Sequence, residues 1–187
     1  MKDPCIRQLL RDTELAVFLN DEHSKVVEEL NLPVAKARID MAVINGSLHG
    51  FEIKSASDTL KRLPSQIEAY SKVFDYLSIV TEGKYYDKIL LTIPEWVGVI
   101  VCSDDKGILA VNKIRQPKFN IYKECFYVAK LLWRDELIQI LTERNIKFRK
   151  KDRNWILCEI LASELDIETL SKIVRSKLKE RDNWKLA

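Results

Sequence analysis

Histidine is scarce, with two residues among 187, and the four cysteines (Cys5, Cys102, Cys125, Cys158) form no Cys-x-x-Cys pair. These absences argue against a zinc cluster. The scatter of the cysteines fits reduced, mostly buried thiols. Neither sign of charge dominates: 31 basic residues stand against 28 acidic ones, a net +3, so any basic footprint for a polyanion has to be local. No apolar run approaches the roughly 20 residues that cross a bilayer, and the opening Met-Lys-Asp-Pro-Cys-Ile-Arg holds no signal-peptide core. Internal repeats, low-complexity segments and a Walker A lysine loop are also missing. The expectation is a soluble, cytoplasmic chain. Its length suits one domain with a good core and a small appendage.

What the chain does have is concentrated between Arg38 and Lys54. Two apolar, strand-like runs flank Asn45-Gly46-Ser47, and Asn-Gly between such runs is a strong hairpin signal. Asp40, Glu52 and Lys54 are charges inside those runs, where charge is depleted. A three-residue loop, with Gly46 or a neighbour in the left-handed conformation, places Ile44 opposite Leu48. Asp40 then falls opposite Glu52, and Arg38 opposite Lys54. A two-residue loop would slip the register by one and part the two acids. In the longer-loop register, two carboxylates and an ammonium share one face. Ile39, Met41, Val43, Phe51 and Ile53 make the other, a core face.

Two carboxylates a few ångströms apart repel unless a cation lies between them. Mg²⁺ favours oxygen ligands and keeps several waters. A metal-bound water can act as a nucleophile while the metal offsets charge on a phosphoryl group, and a neighbouring lysine can orient that water or stabilise the transition state. Asp40, Glu52 and Lys54 are thus a minimal kit for phosphodiester hydrolysis. The plainer alternative is a solvated Glu-x-Lys edge with Asp40 in a salt bridge to Arg38 or Lys54.

Asp40 followed by Glu52-Ile53-Lys54 resembles the D…(D/E)-x-K signature of the restriction-endonuclease-like, or PD-(D/E)XK, nucleases. Gln66-Ile67-Glu68-Ala69-Tyr70 is similar to the Q-x-x-x-Y element on the helix after the catalytic strands of several branches, and the run from about Val26 to Val80 looks like a small bacterial and phage group of that superfamily. Ile39 stands where the signature name has proline. The resemblance implies a mixed central sheet flanked by helices. It also implies a Mg²⁺ (or Mn²⁺) site at Asp40 and Glu52 with the main-chain carbonyl of Ile53, and Lys54, Gln66 and Tyr70 as catalytic residues. A glutamate on the preceding helix often joins such sites, which selects Glu29, with Glu28 as the fallback; an ordinary solvated glutamate is the alternative. For Tyr70 the alternative is helix packing. The implied substrate is nucleic acid, DNA rather than RNA. The implied setting is repair, recombination, phage or defence processing, with a homodimer or a helicase or repair partner. A fold that keeps these residues as a silent nucleic-acid-binding module or complex subunit is the competing reading.

Around the hairpin, apolar spacing predicts helices over Ile6–Leu19 and about Ser24–Leu30, the latter ended by Pro33. Ser57 or Asp58 is a candidate helix cap. A short helix over Thr59–Leu63 gives way to one begun by Pro64 and running to about Asp75. Lys61 and Arg62 before it are candidate phosphate contacts. Leu77–Thr81 and Trp96–Cys102 read as strands and Tyr85–Ile93 as a helix. Asp104–Gly107 reads as a turn into the strand Ile108–Ile114. The alternation makes the fold α/β. Gln116–Asn120 reads as a linker between a core of residues 1–116 and a helical extension, 117–187. That extension is expected as helices over Glu124–Arg144, Trp155–Glu164 and Ile167–Arg181, the last capped by Asp166. Lys147, Arg149, Lys150, Lys151 and Arg153 form the densest basic cluster. It is either a connector in a helical cover or dimer face, or a phosphate-gripping segment of a helix-turn-helix-like module.

Overall fold

The computed structural model describes residues 3–35, 37–55, 58–106 and 108–182. Its centre is a six-stranded mixed sheet in simple sequential order, flanked by helices and followed by a helical C-terminal region. The strands are β1 (Lys25–Asn31), β2 (Arg38–Ile44), β3 (Leu48–Lys54), β4 (Tyr76–Glu82), β5 (Gly98–Asp105) and β6 (Ile108–Arg115). β1, β2 and β3 pair antiparallel, β3, β4 and β5 pair parallel, and β6 returns antiparallel to β5. The parallel steps need crossovers. A 3₁₀ turn, Leu60–Arg62, leading into α3 (Leu63–Ser71) supplies one; Gly83–Tyr85 leading into α4 (Tyr86–Thr92) supplies the other.

The hairpin has the expected register: Ile44 pairs with Leu48 and Met41 with Phe51. Its loop differs from expectation, because neither Gly46 nor a neighbour is left-handed. The Asn45 side chain closes the loop instead, accepting from the Ser47 N–H at 2.9 Å, while the Asn45 N–H donates to the Ser47 carbonyl at 3.0 Å.

Both faces of the sheet are buried, as suits its parallel centre. On one, Met41, Val43, Phe51, Ile53, Val80 and Ile100 pack with Ile6, Leu9, Leu10 and Leu15 of the N-terminal segment. That segment is α1 (Asp3–Asp12) and a single turn, α2 (Ala16–Leu19), rather than one helix over Ile6–Leu19. On the other, Ala42, Ile44, Leu48, Leu77, Ile79 and Val99 pack against Leu63, Ile67, Tyr70 and Phe74 of the α3 region and against the C-terminal helices. Gly50 permits the closest of these contacts, since a Cβ there would meet the Phe74 ring at 3.1 Å.

The segment expected as a helix over Ser24–Leu30 is strand β1. Its helix-like spacing has a structural cause. Glu29 has φ 58°, and this left-handed residue lets Val27 and Leu30, three apart, enter the same core. The irregularity extends across to β2, where Ile39 joins the core of Ala42 and Ile44 rather than that of Met41 and Val43, contrary to the expected grouping.

The C-terminal region contains α5 (Cys125–Ala129), α6 (Arg134–Glu143), α7 (Asn154–Glu164) and α8 (Ile167–Glu180). The single helix expected over Glu124–Arg144 is therefore two. Trp133 is the N-cap of α6, with Glu136 accepting from its N–H at 2.7 Å. Asp166 caps α8 as expected, accepting from the Glu168 and Thr169 N–H groups. Buried residues of these helices share the core of the sheet, and the segment read as a linker is bonded to it: Asn120 is fully buried and donates to the Ser71 and Phe74 carbonyls. α3 ends at Ser71, short of the expected Asp75. The candidate cap Ser57 lies outside the described residues. Asp58 bonds back to Ser55 instead of capping a helix. Gly107 of the expected turn also lies outside them, and β5 runs on through Asp105.

Candidate active site

Strands β2 and β3 part after the Met41–Phe51 pair, and the gap is bridged by Asp40. Its Oδ2 accepts from the Ile53 N–H at 2.7 Å, a side-chain bond that continues the ladder where main-chain pairing stops. The carboxylate is thereby aimed across the strand at the end of β3. There Glu52 and Lys54 point to the same face, beneath α3. They form a buried ion pair, with Lys54 Nζ 2.6 Å from Glu52 Oε1.

Gln66 and Tyr70, one turn apart on α3, close the network from above. The Gln66 carbonyl accepts from Lys54 at 2.9 Å, and its amide donates to Glu52 Oε1 at 2.6 Å and to the Tyr70 hydroxyl at 3.3 Å. That hydroxyl lies 2.6 Å from Glu52 Oε2 and 2.9 Å from the Arg38 carbonyl; its one proton serves one of them at a time. Burial, then the charge of Glu52, raises the Tyr70 pKa, so the phenol is a donor and not a base. Five expected residues, Asp40, Glu52, Lys54, Gln66 and Tyr70, thus converge. All but Tyr70 line one cleft of about 530 Å³, together with Ile53 and Arg62.

The remaining expectations divide. Lys61 and Arg62 are exposed in the 3₁₀ turn at the cleft side, but only Arg62 is among the lining residues. Glu29 stands on a strand, not on a helix, and it does not line the cleft. Its two carboxylate oxygens accept from Arg7 and Arg38, each at 2.6 Å. Glu28, the fallback, pairs with Arg11 at 2.7 Å. Lys147, Arg149, Lys150, Lys151 and Arg153 occupy the exposed connection between α6 and α7, and none lines the cleft. Arg134 pins that connection through the Lys150 and Asp152 carbonyls, and the buried Asp152 holds Arg149 at 3.2 Å.

Sequence reasoning missed Arg7. From α1 it donates to Asp40 Oδ1 at 2.8 Å and to the Asp40 carbonyl at 3.0 Å. It also pairs with Asp3 and Glu29. No local pattern announces it, because α1 meets β2 only in the folded chain. Burial opposes the charge of Arg7, but Asp3, Asp40 and Glu29 outweigh it and raise the pKa. Burial, followed by the charge of Glu52, pushes Asp40 up to about 6 despite the Ile53 N–H and Arg7.

The donor chemistry suits a hard divalent cation. Asp40 and Glu52 present carboxylate oxygens at the cleft, and Ile53 lies between them. One or two carboxylates with water are the usual protein share of a Mg²⁺ site. Among the described residues no three His, Cys, Asp or Glu side chains gather as a metal-holding group, so Asp40, Glu52 and a main-chain oxygen of Ile53 are the donors to weigh.

Over residues 5–185 the sequence matches the family described as Bacteriophage P4 protein cII. The chain belongs to that family. The protein cII of Enterobacteria phage P4 is 26% identical over 182 residues, covering 93% of this chain and 69% of the phage protein. Among solved structures, a protein of unknown function from Silicibacter pomeroyi aligns at 14% identity over 74% of this chain and 92% of its own. Its TM-score is 0.37, too distant a likeness to define the fold. No described helix is long and apolar enough to cross a membrane.

Proposed function

We propose that this member of the cII family is a restriction-endonuclease-like nuclease of the PD-(D/E)XK type, dependent on a divalent metal and hydrolysing phosphodiester bonds, in DNA rather than RNA. The observation that carries the reading is the convergence of Asp40, Glu52, Lys54, Gln66 and Tyr70 at one cleft. Hairpin register, strand divergence and α3 bring them together from three separate elements. Asp40 and Glu52, with the Ile53 carbonyl, would hold Mg²⁺ or Mn²⁺. A bound ion would supply Lewis acidity toward a phosphoryl oxygen and lower the pKa of water.

The chain's own residues have distinct tasks in this scheme. Lys54 keeps an ammonium beside the carboxylates, where it can orient an attacking water or offset phosphate charge. Gln66 fixes Lys54 and Glu52 at one distance from each other, the kind of pre-set geometry that saves reorganisation during reaction. Tyr70 holds Glu52 from the buried side and so acts as a positioning residue. Arg62, at the cleft mouth with Lys61 adjacent, would meet the nucleic-acid backbone. The setting fits DNA repair, recombination, phage or defence processing in the cytoplasm, with a second copy or a helicase or repair protein as partner.

The test is incubation of supercoiled and linear DNA with the purified chain and Mg²⁺ or Mn²⁺, beside Asp40→Ala and Lys54→Ala. Cleavage by the parent chain that is lost in both variants, with DNA binding kept, is the expected result. Binding without cleavage in all three proteins would instead support a silent nucleic-acid-binding module or complex subunit. One observation favours that second reading: Glu52 and Gln66 take two of the three donors of the Lys54 ammonium.

A further inference from the structure

Arg7, beside the cleft rather than lining it, is a strongly bound group that the nuclease scheme does not use. It differs from an ordinary surface ion pair in its number of partners and their origin. One guanidinium joins Asp3 of its own helix, Glu29 of β1, and both the carboxylate and the main-chain carbonyl of Asp40 on β2. Its side chain is 16% exposed. Glu29 reaches it from a left-handed backbone position, and such non-glycine positions persist only where the surroundings over-determine them. Besides Arg7, its helix is held by the apolar contacts of Ile6, Leu9 and Leu10 and by the Arg11–Glu28 ion pair, and it has no main-chain bond to the sheet among those described.

We propose that Arg7 is a built-in counter-ion for the candidate metal site, and that α1 is the latch that delivers it. The geometry behind this is the 2.8 Å bond to Asp40 Oδ1: the guanidinium occupies the carboxylate edge that a divalent cation would need. Arg7 and the cation therefore compete for Asp40. Without metal, Arg7 neutralises Asp40 and Glu29. Metal loading moves Arg7 off Asp40, and α1 loosens from the sheet face. Glu29 is thereby assigned to holding Arg7 and not to the metal. The inference rests on the proposed metal-binding role of Asp40.

The experiment is calorimetric titration of Mn²⁺ and Mg²⁺ into the full chain and its Arg7→Met, Glu29→Gln and Asp40→Ala variants. Thermal melting with and without each ion runs in parallel. The expected result is binding about tenfold tighter in Arg7→Met and a smaller gain in Glu29→Gln. Asp40→Ala should show no binding. Arg7→Met should also melt lower than the parent without metal and recover more on its addition. Hydrogen exchange on the parent chain removes dependence on any variant's folding: metal should speed exchange over residues 3–12 and slow it over 48–54. Equal affinity in the parent and Arg7→Met, with loss in Asp40→Ala, would overturn the latch and leave the metal site standing. Weaker binding in Arg7→Met or Glu29→Gln would overturn it too, making Arg7 an orienting residue or Glu29 a ligand. Absence of binding in every protein would overturn both the latch and the metal reading.

Discussion

Strand β3 carries a carboxylate network at each end, buried at the Leu48 end and part-exposed at the Lys54 end, and the two are built on opposite principles. At the Leu48 end, Asp75 accepts from the Leu48 N–H at 2.7 Å, from Arg175 at 3.2 Å, and from Lys123. One carboxylate meets two cations and an amide, so the charge is met in excess. Its partners come from the C-terminal region and fasten that region to the hairpin. At the Lys54 end, Asp3, Glu29, Asp40 and Glu52 share Arg7, Arg38 and Lys54. Four carboxylates meet three cations beside an open cleft. The first arrangement is complete in itself and serves rigidity. The second, as named, has one positive charge too few, which is what the proposed cation site requires.

The sharpest way to break this comparison is to remove one carboxylate from each end. Asp75→Ala strands the buried Lys123 and the half-buried Arg175, and breaking such a network costs roughly 3–5 kcal/mol. Asp40→Asn at pH 7 should cost much less, since a carboxylate held by burial and by Glu52 at a pKa of about 6 weakens the folded state when ionised. The folded pKa of Asp40 lies above the unfolded value of 3.8, so its contribution is fully present below about pH 4 and is lost as pH rises through 6. Urea unfolding of the two variants at pH 7 checks the contrast; equal losses would mean that both ends are structural.

Between the two ends, His49 provides a second pH-dependent contribution of opposite sign. Burial lowers its pKa to about 4, with the charge of Lys113 acting in the same direction, and its Nε2 lies 3.0 Å from the Ser78 hydroxyl. The unfolded chain takes up a proton that the folded chain refuses between about pH 6.5 and 4. Stability is therefore full above about 6.5 and falls as pH drops, by up to about 3 kcal/mol for a group shifted this far. His49→Gln should flatten that limb in unfolding curves taken from about pH 7 to 4. A limb unchanged by the substitution would assign the acid sensitivity to another group.

How much of this was legible before folding follows from where each signal resides. The hairpin register was readable from Asn45-Gly46-Ser47 and the alternation around it, whereas Gln66 and Tyr70 were singled out by the resemblance to the Q-x-x-x-Y element, their one-turn spacing adding only that they share a helix face. Asp40, Glu52 and Lys54 came from the local pattern of the hairpin, and Gln66 from the resemblance. β1 was not readable as a strand. The left-handed Glu29 gives Val27 and Leu30 a helix-like interval, so tertiary pairing with β2 overrode the spacing. The break at Trp133 was hidden for a similar reason: Arg181, from beyond α8, stacks 4.2 Å over its ring and pairs with Glu136, fixing a helix start that no turn residue marks. Arg7 and Asp75 owe their roles wholly to long-range contacts.

Tyr70→Phe is a finer probe of the site end. Removing the hydroxyl takes a 2.6 Å partner from Glu52 and leaves the Arg38 carbonyl without one of its donors, while the ring remains buried against Phe74. A loss of about 1–2 kcal/mol in stability is expected. If Tyr70 only positions Glu52, DNA cleavage should fall modestly, and the metal concentration needed for half-maximal rate should rise. Complete loss of cleavage with unchanged metal dependence would mean that the hydroxyl contacts the reacting group.

The smallest expected effects concern exposed cations, and they compare the cleft side with the α6–α7 connection. Lys147, Lys150 and Lys151 are exposed on a connection already fixed by Arg134 and Asp152, so their joint replacement by alanine should alter stability by no more than about 0.5 kcal/mol. Deleting a cation that neutralises one phosphate of duplex DNA should lower the slope of log affinity against log salt by about 0.9. Arg62→Ala, at the cleft, should lower the slope by about 0.9 on that scale. The lysine triple variant should leave it unchanged, because none of the three lines the cleft. The reverse pattern, with the slope falling only in the triple variant, would place the nucleic acid on the helical region. It would separate the binding surface from the carboxylates at the end of β3.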